Sequence, residues 1–348
     1  GGYLSEYSEE VEQRELSGAE VVELIARRFS IGPRLLLAVV EHQSGWVTAH
    51  PTEPSPYPLG FVREGTEGLY WQLHLAANLL NLGFYGRAEG GLTVLQVGSD
   101  SEVAIAPGLN DGSAGVQLLA GGLTNTSYEQ WQTAVGSQGF YATYQRLFGN
   151  PFAYTVDPLL PSDLNQPELT LPWAVGETWY YTSGPHGAWA SGSAWAALDF
   201  APPGDVLGCY RSDHWVLTMS AGTVVYSDFG AVVVDIDGDG FAGTGWAITY
   251  MHLESRDRVP EGQTVTAGHR LGHPSCEGGF SNGTHVHVAR SYNGRWISAD
   301  GGLPFVMDGW TTQGLGREYD GLLIRDDLVR EACSCREANN AVTRLPDG

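Results

Sequence analysis

The sequence predicts an α+β chain of two domains, a mainly helical one first and an antiparallel β one second. Three features point there. Apolar residues recur at helical spacing in segments up to residue 148. Pro151, Pro158, Pro161, Pro167 and Pro172 then interrupt the chain with little periodicity between them. Beyond them glycine is frequent, and short β-prone runs alternate with turn signals. With 348 residues there is length for two cores of ordinary size. The expected boundaries are a flexible lead-in at 1–16, a helical domain at 17–150, a Pro-rich linker at 151–172, a β domain at 173–302 and a C-terminal cap or tail at 303–348.

The first sixteen residues are acidic and lack a period, so a frayed lead-in is expected. Ser17-Gly18-Ala19-Glu20 has the spacing of a capping box and opens a helix through Phe29. Pro33 suits the first position of a second helix. Its run from Leu35 to Val40 is apolar all round, as in a helix buried at a domain centre. Amphipathic segments follow at 69–82 and 128–148, with short strands expected within 92–106. In the second half, strands are expected at 175–182, 215–219, 222–226, 231–236, 245–252 and 285–291.

Charge is one-sided: 40 acidic residues face 18 basic ones, all of them arginine. Such a surface repels phosphate backbones, which argues against nucleic acid as a partner. No run approaches the roughly 20 apolar residues of a membrane span. The chain begins Gly1-Gly2-Tyr3, so any export signal is expected to have been removed or to lie outside it. Cys209, Cys276, Cys333 and Cys335 fit two disulfides in an oxidising compartment, with three connectivities open. A ring between Cys333 and Cys335 is strained, so one of them is expected to reach Cys276 or Cys209.

Seven of the ten histidines fall between His186 and His287. In Thr284-His285-Val286-His287-Val288, read as a strand, the two imidazoles share one face and the valines point into a core. His186 lies in a Gly-Pro-His-Gly loop, Asp199 follows thirteen residues later on a strand, and His252 stands in Tyr250-Met251-His252-Leu253. Zinc favours imidazole nitrogen and carboxylate oxygen, and a catalytic site takes three protein ligands plus water. His186, Asp199 and His287 supply that set for one catalytic zinc ion, with His252 and His285 uncoordinated but near. His214, His269 and His273 have no matching role and read as surface or structural. Asp235, Asp237 and Asp239, with Gly240 at the sixth place, match the first half of a calcium loop. The twelfth place is Trp246 rather than a bidentate glutamate, so a solvated hairpin turn is expected, with calcium as the second reading.

Two resemblances attach to these residues. Leu35-Leu36-Leu37-Ala38-Val39-Val40-Glu41-His42-Gln43-Ser44-Gly45-Trp46 resembles the segment of lysozyme-like lytic transglycosylases that carries the catalytic glutamate directly before Ser-Gly-aromatic. Here that place holds Gln43, and an amide cannot act as the acid. Glu41 stands two residues earlier, about 200° around a helix. The resemblance therefore implies a lysozyme-like domain without catalysis, 17–150. A helical packing domain with a chance match is the alternative.

The second resemblance covers residues 173–298. His186, Asp199, Tyr-x-His-Leu at His252 and the terminal His285-x-His287 resemble the lysostaphin-type zinc endopeptidases, which include the β-lytic and staphylolytic enzymes that cut peptidoglycan cross-bridges. It implies a compact antiparallel β fold, zinc on His186, Asp199 and His287, and His252 and His285 as catalytic imidazoles. The expected protein is a secreted or envelope-located, monomeric zinc endopeptidase acting on peptidoglycan or its peptides. Competing readings are a non-catalytic wall-binding or scaffolding protein built from degenerate hydrolase domains, and an autolysin activated by a partner.

Overall fold

A computed structural model describes residues 1–153, 155–156 and 158–346. It separates two compact units, Gly1–Val156 with Trp189–Ser193, and Asp157–Ala188 with Ala194–Gly348.

The first unit is mostly helical. It contains β1 (Ser8–Val11), β2 (Arg14–Ser17), α1 (Gly18–Phe29), α2 (Pro33–Ser44), α3 (Leu69–Ala88), β3 (Val94–Val97), β4 (Ser101–Ala104), α4 (Asp111–Gly121), α5 (Tyr128–Val135) and α6 (Phe140–Phe148). Ser17 caps α1, its side chain accepting from Glu20 N while the Glu20 carboxylate accepts from Ser17 N. Pro33 opens α2. The lead-in is a correction. Residues 1–16 do not fray: β1 and β2 pair as a hairpin, and Leu4, Val11 and Leu16 are buried. Three apolar side chains spread over sixteen residues anchor the segment without producing a readable period. The single segment at 128–148 is two helices, broken where Gly136 and Gly139 intervene. Helix α4 was not foreseen, because Asp-Gly-Ser-Ala-Gly is a poor helix former. Close packing compensates: a Cβ on Gly83 would stand 2.6 Å from Gly115 Cα, so α3 and α4 touch through their backbones.

The second unit contains β5 (Thr178–His186), β6 (Ala197–Ala201), β7 (Val216–Leu217), β8 (Gly222–Asp228), β9 (Ala231–Asp235), β10 (Trp246–Met251), β11 (Thr264–Val265), β12 (Arg270–Gly272), β13 (Val286–Tyr292), β14 (Arg295–Trp296), β15 (Val306–Met307), β16 (Trp310–Gly314), β17 (Gly321–Arg325), β18 (Leu328–Glu331) and β19 (Ala341–Thr343). Its main antiparallel sheet runs β11-β8-β9-β10-β13-β6-β5-β19, with β14 added to β13. One face of that sheet is the core: Leu198, Phe200, Val232, Val234, Ile248, Tyr250, Val286 and Val288 pack with Trp173 and Trp179, whose rings stack at 5.4 Å. Residues between these on each strand face the other way, which is where the functional side chains lie.

Two expected boundaries change. The end of the expected linker belongs to the β unit: Leu169 and Leu171 are in its core, and Leu171 N donates to Asp308 Oδ2 at 2.9 Å. Residues 303–348 are not a separate cap. Phe305, Met307, Trp310 and Leu323 complete the same core, and β19 pairs with β5 in the main sheet. Proline density hid the first feature and the shortness of β19 the second.

The disulfides also differ from expectation. Cys209 joins Cys276, and Cys333 joins Cys335. The second pair forms because a local turn, in which Cys335 N donates to Cys333 O, brings the two Cα atoms within 5.2 Å. Asn340 Nδ2 donates to the carbonyls of both and holds that turn.

Candidate metal centre

The site is built on strand pairing. On β13, Val286 and Val288 point into the core, so His287 projects from the opposite face. On β6, Leu198 and Phe200 do the same and expose Asp199 on the same side as His287, its register partner. β5 pairs with β6 and ends at His186, opposite Ala197. Three neighbouring strands thus deliver two imidazoles and a carboxylate to one point. His186 Nε2 lies 3.1 Å from His287 Nδ1 and 3.3 Å from Asp199 Oδ1, and His287 Nδ1 lies 3.2 Å from Asp199 Oδ1.

Hydrogen bonds to backbone carbonyls decide what these atoms offer. A carbonyl can only accept, so the ring nitrogen facing it carries the proton. His186 Nδ1 donates to Gly184 O at 2.8 Å, and His287 Nε2 donates to Ala188 O at 3.1 Å. In the neutral rings the inward atoms, His186 Nε2 and His287 Nδ1, are therefore the ones that carry lone pairs. Asp199 Oδ1 is buried and receives no hydrogen bond among the described residues. Two ring nitrogens and a carboxylate oxygen converging on one point fit a cation. Their separations of 3.1–3.3 Å suit it too, since ligands about 2.0–2.1 Å from a tetrahedral zinc stand about 3.3–3.4 Å apart.

His285 and His252 flank this point. His285 Nε2 is 3.5 Å from Asp199 Oδ1, and its Nδ1 donates to Gly283 O at 2.7 Å. The ring of His252 lies 4.5 Å from that of His285, and its Nδ1 donates to Glu277 O at 3.0 Å. His252 sits at φ 62°, a left-handed conformation that costs a non-glycine residue about 1–3 kcal/mol. Hydrogen bonds hold it there: Ser275 N and Oγ both donate to His252 O, at 2.6 and 3.0 Å. Ser275 O also accepts from His285 N, so one residue ties both imidazoles together.

The charges reflect this crowding. Burial resists ionisation of Asp199, but the facing His186 and His285 outweigh it and hold the carboxyl well below its usual range; Asp199 in turn raises both imidazoles against their burial, so a proton and a cation compete for the same inward atoms. Burial, followed by the charge of His285, pushes His252 down to about 3, so that imidazole is neutral.

All five residues singled out by spacing thus meet at one place. Sequence reasoning missed Tyr319, whose ring stacks on His186 at 4.8 Å, and Glu318, whose Oε1 accepts from Gly187 N. Both lie in a Glu-Tyr-Asp-Gly turn far along the chain, where only a turn signal was visible. His273 is buried, its Nδ1 donating to His214 O at 2.8 Å, which is a structural role.

In the first unit, Glu41 is also buried. It accepts from Thr48 Oγ1 at 2.5 Å, Thr48 N at 3.0 Å and Arg146 Nη2 at 2.9 Å. Burial alone would raise its pKa, but these donors lower it, so Glu41 stays ionised and cannot serve as a general acid. Asp235 ends β9, and Asp237 and Asp239 follow in its connection to β10, so the three do not sit in a helix–loop–helix calcium hand.

Fold and site define a class: a chain whose antiparallel sheet gathers two imidazoles and a carboxylate into a candidate metal centre, with two further histidines beside it. More particularly, the chain is a homologue of Protease LasA of Pseudomonas aeruginosa, 29% identical over 304 residues that span 81% of this chain and 68% of that protein. Residues 1–161 match the family model described as the N-terminal domain of LasA. Among solved structures, the M23 metalloprotease pseudoalterin from the deep sea aligns at 25% identity, covering 48% of this chain and 96% of that one with a TM-score of 0.41. The catalytic domain of lysostaphin from Staphylococcus simulans aligns at 22% identity, over 35% and 89% of the two chains, with a TM-score of 0.25.

Proposed function

We propose that the chain is a secreted zinc endopeptidase that hydrolyses peptide bonds of peptidoglycan. The observation that carries this reading is the meeting of His186 Nε2, Asp199 Oδ1 and His287 Nδ1, with His252 and His285 beside them. His186, Asp199 and His287 would hold the metal. A zinc ion bound there would supply Lewis acidity, bringing the pKa of a bound water toward 7 and polarising the scissile carbonyl.

The chain's own groups supply the rest. His285 presents Nε2 as an acceptor because Nδ1 is committed to Gly283 O. It is assigned the proton of the attacking water and its delivery to the leaving amine. His252 is assigned the developing oxyanion. Carbonyls of Gly184, Ala188, Gly283 and Glu277 keep the four rings in their tautomers and orientations.

Peptidoglycan as substrate is supported by the five-position resemblance to the lysostaphin-type enzymes. Secretion is supported by the disulfide between Cys209 and Cys276. Among the described residues no helix is long and apolar enough to cross a membrane. The helical unit, a lysozyme-like module in this reading, contributes no glycosidase activity, because Gln43 stands at the acid position and Glu41 is locked by Thr48 and Arg146.

The test is zinc analysis paired with clearing of purified cell walls. About one zinc per chain is expected, with clearing abolished by a chelator and restored by zinc. Clearing indifferent to the chelator, or a chain that takes up no metal, would overturn the reading.

A further inference from the structure

A second group of acidic side chains lies at the end of the β sheet opposite His252. Asp235 closes β9, and Asp237 and Asp239 follow in the loop to β10, which Gly238 at φ 75° and Gly240 at φ 88° fold back on itself. One ligand oxygen from each of the three lies within 4.8 Å of the others. Asp235 has no exposed surface. Its Oδ2 accepts from Gly240 N at 2.8 Å, whereas its Oδ1, equally buried, receives no hydrogen bond among the described residues.

A buried carboxylate oxygen without a donor is costly, and two more carboxylates facing it add repulsion. Either a shared proton or a cation relieves both. A single shared proton can join only two of the oxygens and leaves the third carboxylate facing them, whereas a cation satisfies all three at once.

We propose that the loop between β9 and β10 binds one hard divalent cation of the calcium class through the carboxylates of Asp235, Asp237 and Asp239. Three carboxylates are hard oxygen ligands, and an irregular loop suits the loose coordination of calcium better than the strict octahedron of magnesium. Asp239 already accepts at both oxygens, Oδ1 from Phe241 N and Oδ2 from Thr244 Oγ1, and each keeps a lone pair that an ion could take. Strand β10 runs from this loop to Met251, next to His252. The ion would fix one end of the strand whose other end leads to a catalytic imidazole.

The experiment uses the whole protein. Calorimetric titration with CaCl2, and in parallel with MgCl2 and MnCl2, is followed by thermal unfolding. About one equivalent of calcium is expected to bind saturably. The β unit should then melt about 5–10 °C higher at a hundredfold excess over Kd. The response should persist after a zinc-selective chelator has stripped the histidine site. Asp239→Asn, on an exposed residue whose amide oxygen can still accept a hydrogen bond within the loop, should weaken binding at least tenfold, as should Asp237→Asn. No saturable binding of any of the three cations would overturn the proposal. So would binding that neither substitution weakens, or Asp237→Asn stabilising a protein that ignores cations, since that result identifies a shared proton.

Discussion

Removing Cys209–Cys276 should cost far more stability than removing Cys333–Cys335, although the chemistry of the two bonds is the same. The first spans 67 residues and the second 2. A cross-link lowers the entropy of the unfolded chain by about 2.1 + 1.5R ln n cal/mol/K, which gives about 4.4 kcal/mol at 25 °C for the long loop and about 1.2 for the short one. Their difference, 1.5RT ln(67/2), is about 3 kcal/mol. The long bridge also has a local effect. Gly208 O and Tyr210, on either side of Cys209, hold Thr284 immediately before His285, while Ser275, beside Cys276, holds His252. Urea unfolding of the Cys209→Ala/Cys276→Ala and Cys333→Ala/Cys335→Ala double variants, followed by tryptophan fluorescence, measures the first effect, and kcat/KM on wall fragments measures the second. Equal losses in the two variants, or a loss below about 1 kcal/mol for the long loop, would refute the reasoning.

Other outcomes follow from the site and its surroundings. His285→Ala is expected to retain zinc but lose wall clearing by about 100-fold or more, whereas His287→Ala loses both; metal analysis of the two purified variants separates the roles, and full activity in His285→Ala would remove that residue from the mechanism. Glu41→Gln should cost roughly 1–3 kcal/mol at pH 7. Because the Glu41 carboxyl is held below its unfolded value of about 4.3, its contribution is complete above that pH and is lost as pH falls through the lower folded value. Denaturation curves for wild type and Glu41→Gln should converge on acidification, and a gap unchanged down to pH 2 would contradict the ion pair with Arg146. On isolated glycan strands the protein should release no reducing ends above background; release that disappears in Glu41→Gln would restore glycosidase activity to the helical unit.

The site was far more legible than the tertiary edges of the fold. Strand alternation at Val286 and Val288 already put His285 and His287 on one side, and the intervals to Asp199 and His186 carried the rest. The cap at Ser17 and Glu20 was equally readable, because its two hydrogen bonds lie within one turn. Features that depend on distant partners were not. Helix α4 exists because Gly115 lets it press on α3, and β19 exists because β5 offers an edge. Tyr319 acquires its meaning only from the ring of His186 beneath it. The pairing of Cys333 with Cys335 depends on Asn340, whose amide holds the turn. Buried Asp235 looked like any turn aspartate, since its burial comes from the ends of the flanking strands.

Asp199 and His287 are direct partners across β6 and β13. Sliding one strand past the other by a single residue would swing one of them to the core face and separate them. If the centre takes up zinc as proposed, metal uptake gauges correct assembly: a chain that has paired its strands out of step can look well structured by circular dichroism yet carry no ion. Metal stoichiometry could therefore sort refolded or engineered preparations before any substrate is added.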